Sequence, residues 1–531
     1  MPYFDLFYDQ PIILIVLSFI LASAIVYATD FMALPAAARL KYAQKRSPLR
    51  LVVELVARLP IIAFIFAFFF VISWRPIYSG FATASFFVIF TAISRIKFKF
   101  IREPLLFSDI ALVFDVFKYK TIFYATKFNI LFWVAALSYV FGLSALYMVF
   151  EPHILPATFK LFWVFVGLAA FLCLIALLFV KPVNRLAATL SERLLKTLKV
   201  RPNTVRFGTF TSVALHFLVW LGKNRDVIVN EMSQGLHRVI HDLIDSEHHD
   251  APLIIVWQSE SFYDLRHMGD NELQLPTIDS LKERAVQWGR LTNVFEGGYT
   301  LRTEFAVLSG LKPDEVHIDA SYPYLRAGHY ADVVWPNKLL RNDWHTHFIH
   351  PYDRTFFMRH KALPLLGFEH MTMLDEFDHQ PTPANPYVSD MDLTHKVLHT
   401  IGGIGDAKPS LVFVASMANH GPWEPERCAG LTEPVEIYRE LMRRADEALG
   451  TLIDVLDKST RPVWLAFYGD HAPLLKSYAD PFPDPRTDYF IVPLGAARAE
   501  KPAHAHPREE APWNLFETIL LHAKLYKERF A

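Results

Sequence analysis

The sequence predicts a chain in two parts, an N-terminal α-helical transmembrane bundle followed by an α/β sandwich domain. The 531 residues are 52% hydrophobic with a mean hydropathy of +0.22, and the apolar excess falls in long uncharged stretches before residue 181. After about residue 225, short apolar runs alternate with helical patterns and with Pro-rich and His-rich polar segments. This second pattern is typical of a globular α/β domain.

Candidate membrane spans are five uncharged stretches, at 10–29, 59–74, 76–94, 128–150 and 161–180. A span takes about 20 apolar residues, so four qualify by length and 59–74 is slightly short. A cleaved signal peptide fits the first stretch poorly because no Lys or Arg precedes it. The predicted divisions are 1–181 for five spans, 182–250 for an amphipathic linker and 251–531 for the soluble domain.

Basic residues cluster after the first span and after the fifth, which the positive-inside bias would place in the cytoplasm. They are Arg39, Lys41, Lys45, Arg46 and Arg50, then Arg185, Arg193, Lys196, Lys199, Arg201 and Arg206. Five spans would then leave the soluble domain in the cytoplasm, whereas a sixth crossing at 207–222 would carry it outside. That short stretch fits an interfacial helix equally well, so five and six spans both stay open.

Three apolar runs predict central parallel strands of the soluble domain, at Leu253–Trp257, Leu411–Ala415 and Val463–Phe467. Ligands of open α/β sheets gather at the carboxyl ends of the strands, so the polar residues after each run are candidate site residues. A stripe of apolar residues predicts a helix over Glu433–Asp457. The net charge of −1 gives no indication of nucleic-acid binding.

Candidate metal ligands follow the first and last of these strands. Glu260 stands in Trp-Gln-Ser-Glu-Ser-Phe, and Asp470 and His471 stand in Tyr-Gly-Asp-His. Carboxylate oxygens with an imidazole suit Mn²⁺, Mg²⁺ or Zn²⁺. An Asp–His pair taken alone is more often a surface turn, so both interpretations stay open on these residues by themselves.

A candidate nucleophile, Thr300, begins an apolar helical pattern. The glycine pair Gly297 and Gly298 precedes it, and glycines let the backbone approach a ligand closely. A hydroxyl at the start of a helix lies at the positive end of the helix dipole, which favours a phosphate. The alternative is an ordinary capping threonine.

The order of these motifs carries a resemblance. A strand ending in S-x-E-S, then G-x-T-x-x-[ST]-E-F, then N-H-x-P-[FW], then Y-G-D-H resembles the alkaline phosphatase and sulfatase superfamily. More narrowly, the chain looks like lipoteichoic acid synthases and related phosphoglycerol transferases, which also carry about five N-terminal spans. Leu106-Phe107-Ser108-Asp109, after the third span, is similar to a membrane-surface motif of that family.

The resemblance implies that Thr300 is the nucleophile. It also implies a divalent metal, with Mn²⁺ favoured and Mg²⁺ and Zn²⁺ as alternatives. The ion would be held by Glu260, Asp470 and His471 together with the Thr300 hydroxyl. A divalent metal stabilises the alkoxide of such a poor nucleophile without a separate base.

Substrate contacts implied by the resemblance are Arg359, His420, Phe357 and His350. Arg359 would offer a planar fork to a phosphate oxygen, and His420 would protonate a leaving oxygen or donate a hydrogen bond. Phe357 and Leu475 stand where the synthases carry a Trp and a substrate-side Ser. The alternation of His345, His347 and His350 predicts a partly buried edge strand, with His350 bordering the pocket, rather than a second metal site.

The function implied is transfer of a glycerophosphate head group from phosphatidylglycerol, through a covalent Thr300 intermediate, to a glycan or lipid acceptor. The domain would face outward from a bacterial inner membrane. One alternative is a phosphoethanolamine transferase acting on lipid A or a glycan, and another is a non-catalytic membrane sensor or scaffold. A sulfatase or phosphodiesterase is a further alternative. Sulfatases need a Cys or Ser converted to formylglycine, and Cys428 lies far from that motif.

Overall fold

The chain folds into two compact units, Met1–Lys223 and Asn224–Ala531. The computed structural model describes residues 10–42, 47–112, 118, 130–156, 158–226, 229–230, 251–292, 299–480, 482–499 and 506–525. The Gly297–Gly298 pair and most of 224–250 lie outside the described residues. The predicted borders 1–181, 182–250 and 251–531 stay a prediction.

The first unit is helical. Its helices are Pro11–Asp30, Ala36–Tyr42, Pro48–Val56, Leu59–Ser73, Pro76–Ile101, Ile130–Phe150, Lys160–Leu177, Lys181–Leu195, Val200–Phe207 and Thr209–Gly222. Among the described residues, four helical segments are long and apolar enough to cross a membrane, namely Pro11–Asp30, Pro48–Ser73, Pro76–Ile101 and Lys160–Leu177. Together with the sheet domain that follows, they confirm the predicted combination of an apolar helical bundle and an α/β domain.

The stretch 59–74, short by the sequence, belongs to a longer segment that begins at Pro48. Two charged residues, Glu54 and Arg58, interrupt the apolar pattern of this segment, and both form ion pairs. Glu54 is buried and accepts hydrogen bonds from Arg206 Nε at 2.7 Å and Arg50 Nε at 3.2 Å. Arg58 donates to Asp30 Oδ2 at 3.3 Å. Ion pairing lowers the cost of carrying charged residues on an otherwise apolar helix.

Two further apolar helices are shorter in their continuously described parts, Ser138–Phe150 and Thr209–Gly222. The choice between five and six spans therefore stays a prediction.

The Leu-Phe-Ser-Asp motif enters a short 3-10 helix, Phe107–Leu112. The Asp109 carboxylate accepts hydrogen bonds from the Leu106 N–H at 2.8 Å and from Lys97 Nζ at 2.6 Å, so it fixes the turn.

The second unit is built on a seven-stranded sheet in the order β2-β7-β6-β1-β5-β3-β4. Its strands are β1 Leu253–Ser259, β2 Gln287–Leu291, β3 His345–Ile349, β4 His370–Thr372, β5 Ser410–Ala415, β6 Pro462–Gly469 and β7 Thr487–Gly495. The neighbours from β6 to β4 are parallel, and β7 runs antiparallel to both β6 and β2. The three predicted parallel strands are confirmed as the adjacent strands β6, β1 and β5.

The prediction that His345–His350 forms an edge strand is wrong. β3 pairs with β5 on one side and with β4 on the other. β4 takes the edge, and it escapes detection because it is only the three residues His370–Thr372. The imidazole of His347 is hydrogen-bonded to Thr372 of that strand, with 2.9 Å between Nε2 and Oγ1.

Helices flank the sheet. They are Pro276–Arg284, Thr300–Ser309, Pro313–Val316, Trp335–Arg341, Arg359–Leu365, Asp390–Ile404, Pro434–Leu456 and Pro512–His522. Pro434–Leu456 confirms the predicted helix, and its buried stripe includes Leu441, Leu449 and Leu452. The sheet core consists of fully buried apolar side chains on β1, β5 and β6, which fixes the strand ends where polar residues follow.

A buried carboxylate ties two of these helices together and gives a stability prediction. Asp446 accepts hydrogen bonds from the Thr277 and Ile278 N–H groups, at 3.0 and 2.8 Å, in the first turn of Pro276–Arg284. Asp446→Ala removes this cap and should lower the free energy of unfolding by about 1–2 kcal/mol. Chemical denaturation measures it. Asp454→Ala, at an exposed position of the same helix, is the control, and equal losses in both variants would contradict the capping role.

Candidate metal centre and active site

The register of the sheet creates the site. Ser259, the last residue of β1, pairs with Gly469, the last residue of β6. Because the two strands are parallel, the next residues, Glu260 and Asp470, leave the sheet side by side at its carboxyl edge. The predicted ligands from the first and last apolar runs are thereby brought together.

Gly469 in the Tyr-Gly-Asp-His motif is required by a close backbone approach. A Cβ at this position would lie 2.1 Å from the carbonyl oxygen of Phe262. That oxygen belongs to the segment just after Glu260, so a larger residue would push the two strand ends apart. Glycine therefore sets the spacing of the carboxylates.

Glu260, Asp470 and His471 form a buried cluster whose ligand atoms all lie within 4.8 Å of one another. His471 Nε2 lies 3.6 Å from Glu260 Oε1 and 3.4 Å from Asp470 Oδ2. The carboxylates are oriented by Ser261, which donates through Oγ to Glu260 Oε1 and through its N–H to Asp470 Oδ1, both at 2.7 Å. Such supporting hydrogen bonds are what orient metal ligands in proteins.

The tautomer of His471 follows from its backbone contact. Its Nδ1 lies 3.1 Å from the carbonyl oxygen of Ala472, and only a protonated ring nitrogen can donate to a carbonyl. In the neutral ring the lone pair is therefore on Nε2, the atom that faces the two carboxylates. This is the arrangement in which a histidine ligates a metal.

A divalent cation fits the cluster. Asp470 Oδ2 and His471 Nε2 are buried and have no hydrogen-bond partner among the described residues. Burial and the neighbouring Glu260 carboxylate raise the pKa of Asp470 to about 7. Burial disfavours the charged form of His471, but the Asp470 and Glu260 carboxylates outweigh it and raise the pKa of that imidazole. A divalent cation at this position would stabilise the ionised carboxylates that burial and their mutual repulsion disfavour.

Thr300 lies at the first position of the helix Thr300–Ser309, directed at the cluster. Its Oγ1 lies 3.4 Å from Glu260 Oε2. One turn later, Thr303 donates through Oγ1 to the carbonyl oxygen of Asp470 at 3.0 Å. The helix is thus joined to the strand end that carries the candidate ligands, and the Thr300 hydroxyl lies beside Glu260.

Arg359 is buried and its fork is occupied by Glu304. The guanidinium donates through Nη2 to Glu304 Oε2 at 2.8 Å and through Nε to Oε1 at 3.3 Å. Glu304 also accepts hydrogen bonds from Gln258 and from the hydroxyl of Tyr324. Only the Nη1 side of Arg359 is directed elsewhere, which leaves a single nitrogen rather than a bidentate fork for a substrate oxygen.

That remaining nitrogen meets His350. Arg359 Nη1 lies 3.1 Å from His350 Nε2, and because arginine can only donate, Nε2 must accept. His350 Nδ1 then donates to the Ala415 carbonyl, 2.9 Å away at the end of β5. Burial and the adjacent Arg359 hold the pKa of His350 well below its usual range, so this histidine is neutral.

His420, in the loop after β5, has its Nδ1 2.6 Å from the Gly421 carbonyl oxygen. Its lone pair is therefore on Nε2. Burial lowers the pKa of His420 to about 4, helped by the nearby His471. A neutral ring of this tautomer accepts a proton at Nε2, whereas the sequence predicted a donor.

Phe357 and Leu475 are both buried. The Phe357 ring lies 5.4 Å from the Arg359 guanidinium, and its backbone is left-handed, with φ of 55°. Leu475 belongs to the apolar core. These contacts place Phe357 beside Arg359 and give Leu475 a packing role.

A second acidic group, Asp264, His267 and Asp488, has metal-like spacing but is already neutralised. Asp264 pairs with Arg266 at 2.8 Å, and Asp488 pairs with Arg290 at 3.2 Å. Lys282 lies within 3.7 Å of both carboxylates. This group is an ion-pair network.

Sequence reasoning missed the partners of the site residues. Glu304 stood in the T-x-x-T-E-F motif four residues after Thr300, and that spacing on a helix would have placed both on one face. Ser416, whose Oγ accepts from the Glu260 N–H at 3.0 Å, carried no signal. Neither did Tyr324, because nothing in the sequence ties it to Glu304.

Comparison with known proteins identifies the family. A family model described as Sulfatase matches residues 252–524. The chain belongs to the sulfatase family. The predicted relationship to the alkaline phosphatase and sulfatase superfamily is confirmed.

A relative from Rhizobium meliloti (strain 1021), described as capsular polysaccharide biosynthesis protein RkpI, is 60% identical over 521 residues, 98% of this chain and 96% of the relative. Two solved structures are similar to part of this chain. Phosphoglycerol transferase GacH of Streptococcus pyogenes, in complex with sn-glycerol-1-phosphate, is 20% identical with a TM-score of 0.42, covering 56% of this chain and 82% of that chain. Lipoteichoic acid synthase LtaP of Listeria monocytogenes is 18% identical with a TM-score of 0.41, covering 55% and 77%.

The cluster predicts metal binding that competes with protons. A cation must displace the proton from Asp470, whose pKa is raised to about 7. Metal affinity should therefore fall as the pH drops below about 7, by about tenfold per pH unit for the Asp470 proton and more steeply where a proton on His471 must also be displaced. Titration of the full-length protein with Mn²⁺ at several pH values measures this. Affinity that is constant down to pH 5 would contradict it.

Asp470→Asn tests the same site by mutation. It removes a charge from the ligand set and should leave purified protein with little bound metal, because an under-compensated cation loses occupancy. Elemental analysis measures the metal-to-protein ratio. Asp378→Asn, an exposed carboxylate of the same unit, is the control and should keep the wild-type ratio. Full metal content in Asp470→Asn would rule out the proposed ligand.

Proposed function

We propose that this sulfatase-family protein is a membrane-anchored, metal-dependent phosphotransferase with Thr300 as its nucleophile. The observation that carries the proposal is the position of the Thr300 hydroxyl. It lies at a helix N-terminus, 3.4 Å from a carboxylate of the buried Glu260, Asp470 and His471 cluster. A capping threonine would instead precede its helix, whereas Tyr299 holds the N-cap position here and Thr300 is the first helical residue.

For the donor we propose phosphatidylglycerol, whose glycerophosphate head group would be transferred and whose diacylglycerol would be released. The apolar helices of the first unit support a donor that resides in a membrane. For the acceptor we propose a cell-envelope glycan, since the relative with 60% identity is described as a capsular polysaccharide biosynthesis protein. The ion would be Mn²⁺, with Mg²⁺ and Zn²⁺ as alternatives.

In the first half-reaction, Thr300 Oγ1 attacks the phosphorus. A bond forms between Oγ1 and phosphorus, the bond to the diacylglycerol oxygen breaks, and the threonine proton ends on that oxygen. A bound divalent cation would lower the pKa of the hydroxyl and offset charge on the phosphate oxygens. Glu260, Asp470 and His471 would hold it, and the helix N-terminus adds positive potential.

In the second half-reaction, an acceptor hydroxyl attacks the same phosphorus and the bond to Thr300 breaks. The threonine oxygen regains a proton, and the acceptor hydroxyl loses one. His420 would accept that proton at Nε2, which carries the lone pair in the neutral ring, and its low pKa of about 4 would make it pass the proton on readily to the leaving threonine oxygen. Arg359, whose charge is balanced by Glu304 and whose Nη1 contacts His350, would donate from Nη1 to a substrate oxygen.

The orientation of the chain follows from this proposal. Outer-leaflet lipid and external glycan are accessible only if the domain beginning near residue 250 faces away from the cytoplasm. Alkaline phosphatase fusions after residue 245 should then be active and green fluorescent protein fusions dark. A fusion in the 196–199 turn distinguishes five spans from six. A green fluorescent protein fusion after residue 245 that fluoresces, together with an alkaline phosphatase fusion there that is inactive, would refute the proposal.

Thr300→Ala should abolish diacylglycerol release from phosphatidylglycerol while the protein still folds and retains metal, because only a hydroxyl and a methyl group change. Thr303→Ser is the matched control, since it keeps the hydroxyl that donates to Asp470, and it should stay active. Lipid mass spectrometry measures release. A capping role predicts instead a loss of about 1 kcal/mol in stability with turnover intact. Phosphatidylethanolamine in parallel tests the alternative head group.

A further inference from the structure

The loop that carries His420 is held by one buried guanidinium. The loop leaves β5 and contains Ser416, Asn419 and His420. Asn419 Nδ2 donates to the carbonyl oxygen of Glu260 at 3.3 Å, and Ser416 accepts from the Glu260 N–H. These contacts tie the loop base to a metal ligand, but they leave the segment from His420 onward to be fixed by other groups.

Arg427 supplies that restraint. It ends a short 3-10 helix, Pro425–Arg427, and only 7% of its surface is exposed. Nη1 donates to the carbonyl oxygens of His420 and Pro422, the latter at 3.2 Å, and Nη2 donates to the carbonyl oxygen of Ala418. Three loop carbonyls therefore converge on one side chain, on both sides of His420.

The chemistry of arginine suits this position. A guanidinium is planar and always charged, and its donors lie in a fixed fork, so it can join several carbonyls at once. A lysine is a single point of charge on a flexible stem and cannot span the same three oxygens. Arg427 also lies 5.4 Å from the ring of Tyr387, whose hydroxyl donates to the Gly421 carbonyl at 3.2 Å.

We infer that Arg427 is a positioning residue, which fixes the His420 backbone and so directs the His420 imidazole into the active site. The inference rests on the proposed role of His420. It assigns Arg427 no contact with substrate or metal. Its effect on turnover must therefore pass through His420.

The test is a double-mutant cycle in the full-length protein in detergent, with His420→Gln, Arg427→Lys and the double variant. Loss of His420 should lower transfer by about 100-fold, as for a general base, and Arg427→Lys by about tenfold or more. The double variant should be no slower than His420→Gln, since a misplaced side chain cannot matter once it is removed. Losses that multiply would overturn the inference.

Deuterium uptake by residues 416–423 gives a readout that needs no substrate. Uptake should rise in Arg427→Lys, with metal content and thermal midpoint unchanged. Arg443→Lys, an exposed arginine of Pro434–Leu456 that pairs with Glu440 and Glu447, is the matched control and should match wild type. Wild-type uptake in Arg427→Lys overturns this inference while leaving the proposed function intact.

Failure of the proposed function is separately visible, because Thr300→Ala would then release diacylglycerol at the wild-type rate whatever the loop does. If Arg427→Lys does not fold, Arg427→Gln takes its place in the cycle and in the uptake measurement. Loss of the folded state in both variants would overturn the inference, since Arg427 would then support the whole domain.

Discussion

The burial of two carboxylates side by side is the constraint on which the site depends. Ser259 pairs with Gly469 at the ends of two parallel strands, so the residues that follow them, Glu260 and Asp470, lie side by side. Two adjacent negative charges removed from water are unfavourable unless compensated. Ser261, His471 and the N-terminus of Thr300–Ser309 each supply part of the compensation. Asp470 Oδ2 and His471 Nε2, which have no hydrogen-bond partner among the described residues, mark where the proposed divalent cation would supply the rest.

Glu304 and Arg359 form a buried ion pair that helps to position the residues of the site. Glu304 shares a helix face with Thr300, so the position of the proposed nucleophile is tied to the position of Arg359. Truncating one partner would leave the other charged and buried, which typically costs about 3–5 kcal/mol. The pair also explains why Arg359 does not act as a free phosphate fork. Its Nη1 alone extends beyond Glu304, with His350 oriented behind it.

The strands that frame the site were predictable because buried parallel strands are continuous apolar runs, as in β1, β5 and β6. The clustering of Glu260, Asp470 and His471 was predictable because they follow such runs. The outer strands were not, since the edge strand β4 has only three residues and β7, between β2 and β6, pairs antiparallel through Thr487–Gly495, whose pattern is mixed. Contacts between distant residues were also hidden. Arg359 meets Glu304 across 55 positions, and Arg427 acts on backbone carbonyls, which carry no side-chain signature.

The central claim is that Thr300 becomes covalently linked to phosphorus. Peptide mass spectrometry of the full-length protein, quenched during turnover of phosphatidylglycerol without acceptor, tests it most directly. The account predicts a glycerophosphoryl group on the peptide that contains Thr300, with fragmentation placing it on that residue. A modification on any other residue, or diacylglycerol release with no modified peptide, would contradict it.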